Sequence, residues 1–287
     1  MDELSVVLKA RELVNKVRPT SIPVAIEPYA ECVGAVLRID NGLTADEAGY
    51  SFERNGKHYI SVNGKDSEER RRFTACHEIA HIALRLPSDH AGLSWWSYAR
   101  RPQNEMFCDV FAAELLLPYK LFKPLIDRAA IGLAAIDELA GQFLASNIAT
   151  GSRFAALASA PCAFVLAEQG KVRYASRSTS LREARAWIPP RTALPQGSLA
   201  ERLRNGGASG GPEQVAADVW FSDWERGGAL LEDARHRRQW DQTVALLWFE
   251  DDEVPLPARD RREREEEEFG LAELDGILPW PGKRRRR

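Results

Sequence analysis

The segment His77-Glu78-Ile79-Ala80-His81 constrains this chain most, because it combines two histidines four residues apart with a glutamate. The flanking sequence, FTACHEIAHIALRL, is mostly apolar, which predicts a largely buried helix. On a helix, residues i and i+4 lie about 40° apart on one face, so both imidazoles can reach a single metal ion. Two buried imidazoles without a partner would be costly, and a metal removes that cost. The spacing therefore predicts a metal centre on this helix.

Zinc suits such a centre, because it takes two imidazole nitrogens and a carboxylate and keeps one position open for water. Glu78 is next in sequence to a metal-binding histidine and can face that water. We therefore expect Glu78 to act as the general base that takes the proton from the water.

A third zinc ligand is expected from the next long helix, which the sequence predicts between Pro102 and Pro118. Glu105 lies in its first turn, and Asp109 follows four residues later on the same face. This spacing lets Glu105 bind the metal while Asp109 accepts a hydrogen bond from a ligand imidazole. Glu114 is nine residues from Glu105, about half a turn away around the helix, and cannot share that face. We expect Glu114 to be a helix-end carboxylate or the buried partner of an arginine.

Two cysteines lie close to these residues in sequence and are of a residue type that can bind zinc. Cys76 precedes His77 and points about 100° away from it on a helix, whereas Cys108 lies three residues from Glu105, near its face. Both are expected to be small buried apolar residues. A peptidase also needs a group that stabilises the oxyanion. His90, Tyr98 and Arg100, in the segment between the two ligand helices, are candidates that the sequence does not separate, whereas His58 is expected to be an ordinary strand residue.

These residues resemble the ImmA/IrrE family of zinc-dependent metallopeptidases. That family pairs HExxH with a downstream E-x-x-x-N-x-F-A-A-x-L-L-M-P segment, and this chain has TACHEIAHIAL at 74–84 and NEMFCDVFAAELLLP at 104–118. Asp109 stands where the family usually has Asn, and Leu117 where it usually has Met, so no metal ligand is lost. The resemblance covers residues 1–120. It implies a gluzincin-like minimal fold, with His77, His81 and Glu105 as zinc ligands and Glu78 as base.

The resemblance also carries expectations about partners. Family members typically cleave a specific repressor that has its own helix-turn-helix, which releases a stress response or induces a mobile element. Longer members carry a helix-turn-helix-like segment and a GAF-like sensory domain after the peptidase. Two alternatives stay open: a DNA-binding transcriptional regulator or antitoxin-like module with a non-catalytic metal site, and a general peptidase for short peptides.

The chain is expected to have an α+β fold in four parts. They are a metallopeptidase domain at 1–124, a helix-turn-helix-like helical segment at 125–158, an α+β and GAF-like domain at 159–257, and a charged, disordered tail at 258–287. Within the first part, the pattern predicts a helix at 4–17, strands at 24–27 and 33–39, a hairpin in 48–63 and a helix at 67–85 capped by Asp66. Later segments predict two helices within 133–158, a hairpin around 170 and a final strand at 243–250.

Composition narrows the setting. The four cysteines form no CxxC pair, so a disulfide framework is excluded and reduced thiols fit a cytoplasmic protein. No stretch approaches the roughly 20 apolar residues that cross a bilayer, and the start of the chain lacks an apolar signal segment, so neither a membrane nor secretion is expected. The net charge of −3 disfavours wholesale coating of nucleic acid, but it leaves room for a local basic face and for DNA contact by the helix-turn-helix.

Overall fold

A computed structural model describes residues 1–87, 102–221 and 228–250. Its helices are α1 (Glu3–Val17), α2 (Glu27–Cys32), α3 (Glu68–Leu84), α4 (Gln103–Leu116), α5 (Tyr119–Ile126), α6 (Leu133–Phe143), α7 (Asn147–Leu157), α8 (Thr179–Glu183), α9 (Leu199–Arg204) and α10 (Ala217–Trp220). Its strands are β1 (Ala35–Asp40), β2 (Gly49–Arg54), β3 (Lys57–Asn63), β4 (Cys162–Glu168), β5 (Lys171–Arg177), β6 (Glu213–Ala216), β7 (Ala229–Arg237) and β8 (Gln242–Trp248). The predicted α+β class is confirmed. Within the described ranges, every helix is too short or too polar to span a bilayer.

The first sheet has the strand order β1-β3-β2, with β1 parallel and β2 antiparallel to β3. The predicted β2–β3 hairpin turns at Asn55 and Gly56, whose φ angles of 54° and 71° suit a tight two-residue turn. One face of this sheet packs on α3, where Ile60 is fully buried. Strand β2 also contacts α3. It is an edge strand of this sheet, and no described strand pairs with its outer edge.

Helix α3 begins one residue later than expected. Ser67 is its N-cap and accepts a hydrogen bond from the backbone N–H of Arg70, so the predicted cap at Asp66 is wrong. Serine and aspartate are both favoured as N-caps, because the side-chain oxygen of either accepts a backbone N–H of the first turn. Asp66 and Ser67 are adjacent, so the sequence alone did not distinguish them. The helix ends at Leu84, and the next residue, Arg85, takes the left-handed conformation with φ 55°.

The predicted strand at Val24–Glu27 is also wrong. Glu27 begins helix α2, whose second residue is Pro28. Proline is favoured in the first turn of a helix because its φ angle is already helical and its missing N–H has no partner there. Val24 and Ile26 are buried singly, without a strand pairing.

The C-terminal sheet is antiparallel, in the order β5-β4-β8-β7-β6. Strand β4 is buried on both faces: Phe164 joins the core formed by the N-terminal helices, while Val165 joins a second core under α8, α9 and α10. The approach on the first face is close, since a Cβ at Gly151 of α7 would lie 2.4 Å from the Phe164 ring. The predicted hairpin and final strand are confirmed, whereas the GAF-like character and the domain boundaries stay predictions.

The helix-turn-helix layout is present as α6 and α7, but α7 is enclosed. Every residue of α7 is buried or half-buried, because the helix packs on β4 and β5. Arg153 of α7 reaches back to a carboxylate of α4. A helix that reads the major groove needs an exposed face, and every residue of α7 is at least partly covered.

Candidate metal centre

Helices α3 and α4 bring three buried side chains together. The Nε2 atoms of His77 and His81 lie 3.1 Å apart, as expected for residues one turn apart on one helix face. Across from them, the two carboxylate oxygens of Glu105 lie 3.0 Å from His77 Nε2 and 3.4 Å from His81 Nε2. All three side chains are less than 10% exposed. The sequence predicted these three as ligands, and the fold places their donor atoms around one point.

The donor set fits a zinc ion. Bond lengths of about 2.0–2.1 Å in a tetrahedral site put neighbouring ligand atoms roughly 3.3 Å apart, and the three separations here are close to that value. Cys108 is a further candidate, because His77, His81 and Cys108 form a buried group whose ligand atoms all lie within 4.8 Å of one another. We favour Glu105 over Cys108 as third ligand, because Glu105 contacts both imidazoles directly.

Asp109 orients the first imidazole. Its Oδ1 lies 3.0 Å from His77 Nδ1, on the side of the ring away from Glu105. Burial by itself lowers the pKa of His77, but the carboxylates of Asp109 and Glu105 together raise it to about 9. Burial by itself raises the pKa of Glu105. The two histidines have a larger, opposite effect, so the pKa of Glu105 is lowered well below its ordinary value. The cluster thus concentrates negative charge where a cation would sit between the imidazoles.

Glu78 is almost completely buried, at 1% exposure, and has a partner that the sequence did not reveal. Ser51 Oγ, on β2, donates a hydrogen bond of 2.7 Å to Glu78 Oε2. Because side chains alternate along a strand, Ser51 lies on the same face as Ile60, its partner in β3, and both face α3. The alternation of side chains along β2 indicates which face of the sheet Ser51 is on. Nothing in the sequence indicates that it contacts Glu78.

An open cleft of about 440 Å³ adjoins the centre. It is lined by Ser51, Phe52 and Glu53 of β2, His58 of β3, and His81, Ile82, Arg85 and Leu86 at the end of α3. His58, expected to be an ordinary strand residue, does lie in β3 but also borders this cleft. The oxyanion candidates His90, Tyr98 and Arg100 lie outside the described residues.

Glu114 is fully buried and belongs to a different cluster. It pairs with Arg153 of α7 and lies 3.4 Å from Arg11 Nε of α1, and its Oε1 accepts the backbone N–H of Tyr119 at 3.1 Å. These contacts tie α4 to three other helices, so Glu114 has a structural role. Cys76 is likewise part of the core, where burial raises the pKa of its thiol to about 12.

Comparisons with known proteins give one family match and one likeness in fold. Residues 30–151 match the family model of a peptidase domain described as the IrrE N-terminal-like domain. A solved structure described as a Mycobacterium tuberculosis transcriptional regulator is similar in fold, with a TM-score of 0.57 at 13% sequence identity, over 85% of this chain and 75% of that one. No curated protein matches the chain. The matched segment contains α3, α4 and the whole histidine–carboxylate cluster, so residues 30–151 are the part of this chain that is similar to the peptidase domain of the ImmA/IrrE family.

Proposed function

We propose that this chain is a zinc-dependent endopeptidase that cleaves a specific protein substrate. The observation that carries the proposal is the buried carboxylate of Glu78, held by Ser51 beside the convergence of His77, His81 and Glu105. A purely structural zinc site has no use for an additional carboxylate at this position and more often closes with four Cys or His ligands. A hydrolytic site needs such a base.

The residues divide the chemistry among them. Zinc, when bound by His77, His81 and Glu105, would supply Lewis acidity that polarises a peptide carbonyl and lowers the pKa of water. Glu78 accepts the proton of the attacking water and passes it to the leaving amine. Ser51 fixes the direction of the Glu78 carboxylate, and Asp109 fixes that of the His77 ring.

The edge strand β2 offers a place for the substrate. An extended peptide can add to an exposed sheet edge through main-chain hydrogen bonds, and β2 borders the cleft next to the metal centre. A bound segment would then run past Glu78 in extended form. This favours cleavage of an exposed loop or linker of a folded protein.

The family resemblance supports a helix-turn-helix transcriptional repressor as that substrate, cleaved in a stress response or during induction of a mobile element. The competing proposal is a DNA-binding regulator or antitoxin-like module with a non-catalytic metal site. The name of the M. tuberculosis structure points in that direction. The packing of α7 weighs against it, because every residue of this second helix is at least partly covered.

The test is mass spectrometry of labelled protein N-termini in host cells that express either the wild type or Glu78→Gln, with and without DNA-damaging stress. A new N-terminus that appears only with the wild type supports the proposal and identifies the substrate and the bond. Identical N-termini under all conditions, together with salt-sensitive DNA binding by the purified protein, would favour the regulator. Broad turnover of a fluorogenic peptide panel would point to a general peptidase.

A further inference from the structure

The first sheet has a second face, opposite the one that packs on α3. We call it the aromatic–basic face, and it is formed by Arg38 of β1, by Tyr50, Phe52 and Arg54 of β2, and by Lys57 and Tyr59 of β3. The ring of Phe52 stacks on that of Tyr59, with centroids 5.2 Å apart, and lies 5.9 Å from that of Tyr50. The guanidinium of Arg38 lies 5.2 Å from the centre of the Tyr59 ring. These contacts place the rings and one cation on the same side of the sheet.

The face is exposed although it is aromatic. Phe52 is 42% exposed and Tyr50 is 36% exposed, and Arg38, Arg54 and Lys57 are exposed as well. Large apolar side chains that are contiguous and open to solvent often mark a binding surface. Cross-strand packing stabilises the sheet, but packing alone does not require these rings to be left open to water.

The charges on this face are all of one sign where the rings lie. Arg54 and Lys57 are direct partners across the hairpin, and like charges placed directly opposite each other destabilise a sheet. Among the described residues, no carboxylate forms an ion pair with Arg38, Arg54 or Lys57. Asp40 follows the same alternation, but it lies at the far end of β1, where it accepts the backbone N–H of Gly42. In a chain with a net charge of −3, this face is locally cationic.

We propose that the aromatic–basic face binds single-stranded nucleic acid. The rings of Tyr50, Phe52 and Tyr59 offer stacking surfaces for bases, and the three cations offer partners for phosphates; this combination is typical of proteins that bind single strands. An anionic ligand also removes the repulsion between Arg54 and Lys57. A duplex hides the faces of its bases, so it cannot use the rings. DNA and RNA share the chemistry that this face recognises.

The test measures the fluorescence anisotropy of labelled oligothymidine and oligouridine, each of about 15 nucleotides, titrated with the full chain. We expect saturable binding that weakens with salt, and at least about tenfold weaker binding of a duplex of equal length. Phe52→Ala should weaken single-strand binding about fivefold or more, as expected for the loss of one stacking ring. The double variant Arg54→Glu/Lys57→Glu should weaken it at least about tenfold and flatten its salt dependence.

Matched controls separate this face from general charge and from the peptidase site. Trp240→Ala removes an aromatic ring that is 61% exposed elsewhere, and Lys9→Glu reverses an exposed charge on α1; both should bind like the wild type. Glu78→Gln should also bind normally, because Glu78 lies on the α3 side of the sheet. Circular dichroism and thermal unfolding check that each variant is folded.

Three results would overturn the proposal. The first is no binding of either oligonucleotide by the wild type, which would leave a protein partner as the occupant. The second is normal binding by the folded face variants, which would assign binding to another segment such as the arginine run at 284–287. The third is equal affinity for the duplex. The proposal is supported if the wild type binds either oligonucleotide and the face variants bind it more weakly. The oligonucleotide that binds more tightly then shows whether the face prefers DNA or RNA.

Discussion

The hydroxyl of Ser51 donates a 2.7 Å hydrogen bond to the carboxylate of Glu78, linking the edge strand β2 to the helix that carries both histidines. Hydrogen bonds to a carboxylate are stronger than those between neutral groups, and a buried acceptor that loses its donor is costly. Ser51 therefore acts as a positioning residue for the proposed base.

Removal of this hydroxyl should lower catalysis without removing metal. We expect Ser51→Ala to reduce kcat about 10-fold to 100-fold, because the Glu78 carboxylate is no longer held in one direction, with little change in KM. Ser51→Thr keeps the hydroxyl and should recover most of the activity. Zinc content, measured by inductively coupled plasma mass spectrometry, should be the same in all three proteins. An equal defect in Ser51→Thr, or a parallel loss of zinc, would show that the hydroxyl does not act through Glu78.

The identity of the third ligand can be tested by a set of three variants. Because Glu105 contacts both imidazoles and Cys108 lies within the same buried group, each could complete the site. We expect Glu105→Ala to lower zinc affinity strongly and Cys108→Ala to leave it nearly unchanged. Glu114→Gln is the matched control on the same helix: it should keep zinc but lower stability by about 3 kcal/mol or more, because it leaves Arg153 buried without an anionic partner. Zinc loss in Cys108→Ala but not in Glu105→Ala would reassign the ligand.

Stability should fall at alkaline pH because of two buried thiols. Burial raises the pKa of Cys76 and of Cys162 to about 12, from an ordinary value of 9.0. Below pH 9 both states hold these protons; above it the unfolded chain loses them while the folded chain keeps them, so the free energy of unfolding falls as pH rises from about 9 to about 12. Each thiol contributes a slope of up to about 1.4 kcal/mol per pH unit.

Urea unfolding with a metal chelator, repeated across this pH range, measures the slope. The double variant Cys76→Ala/Cys162→Ala should show a shallower decline than the wild type. Tyr29 is also buried, and burial raises its pKa as well, so a residual decline is expected in the variant. If the free energy of unfolding falls equally steeply with pH in the two proteins, Cys76 and Cys162 are not the cause of the decline. In the native protein, iodoacetamide at pH 8 should modify the exposed Cys32 far faster than Cys76 or Cys162.

The sequence could predict that these side chains lie close together, because they are at helical spacings. His77 and His81 are one turn apart, as are Glu105 and Asp109, and packing α3 against α4 is enough to bring the two pairs together. Local periodicity therefore carries nearly all of the information that this cluster needs. The family motif adds the pairing of the two helices.

Other features depend on contacts between distant segments, and the sequence could not show them. Ser51 meets Glu78 only through the register of the β2–β3 hairpin and its packing on α3. The enclosure of α7 depends on a sheet formed later in the chain, so the helix-turn-helix spacing alone could not distinguish an open helix from a covered one. The strand predicted at Val24–Glu27 was wrong because a short apolar run fits a strand as well as other buried structure. The helix that begins at Glu27 has Pro28 in its first turn.

The role of Glu78 is tested most directly by comparing the wild type with Glu78→Gln in two assays on the same purified samples: zinc content, and cleavage of the substrate identified from its new N-terminus. If Glu78 is the general base, the variant keeps the zinc content of the wild type and loses cleavage by about 100-fold or more, since a positioned base contributes about that much. Cleavage at the wild-type rate by the zinc-loaded variant would show that Glu78 is not the general base.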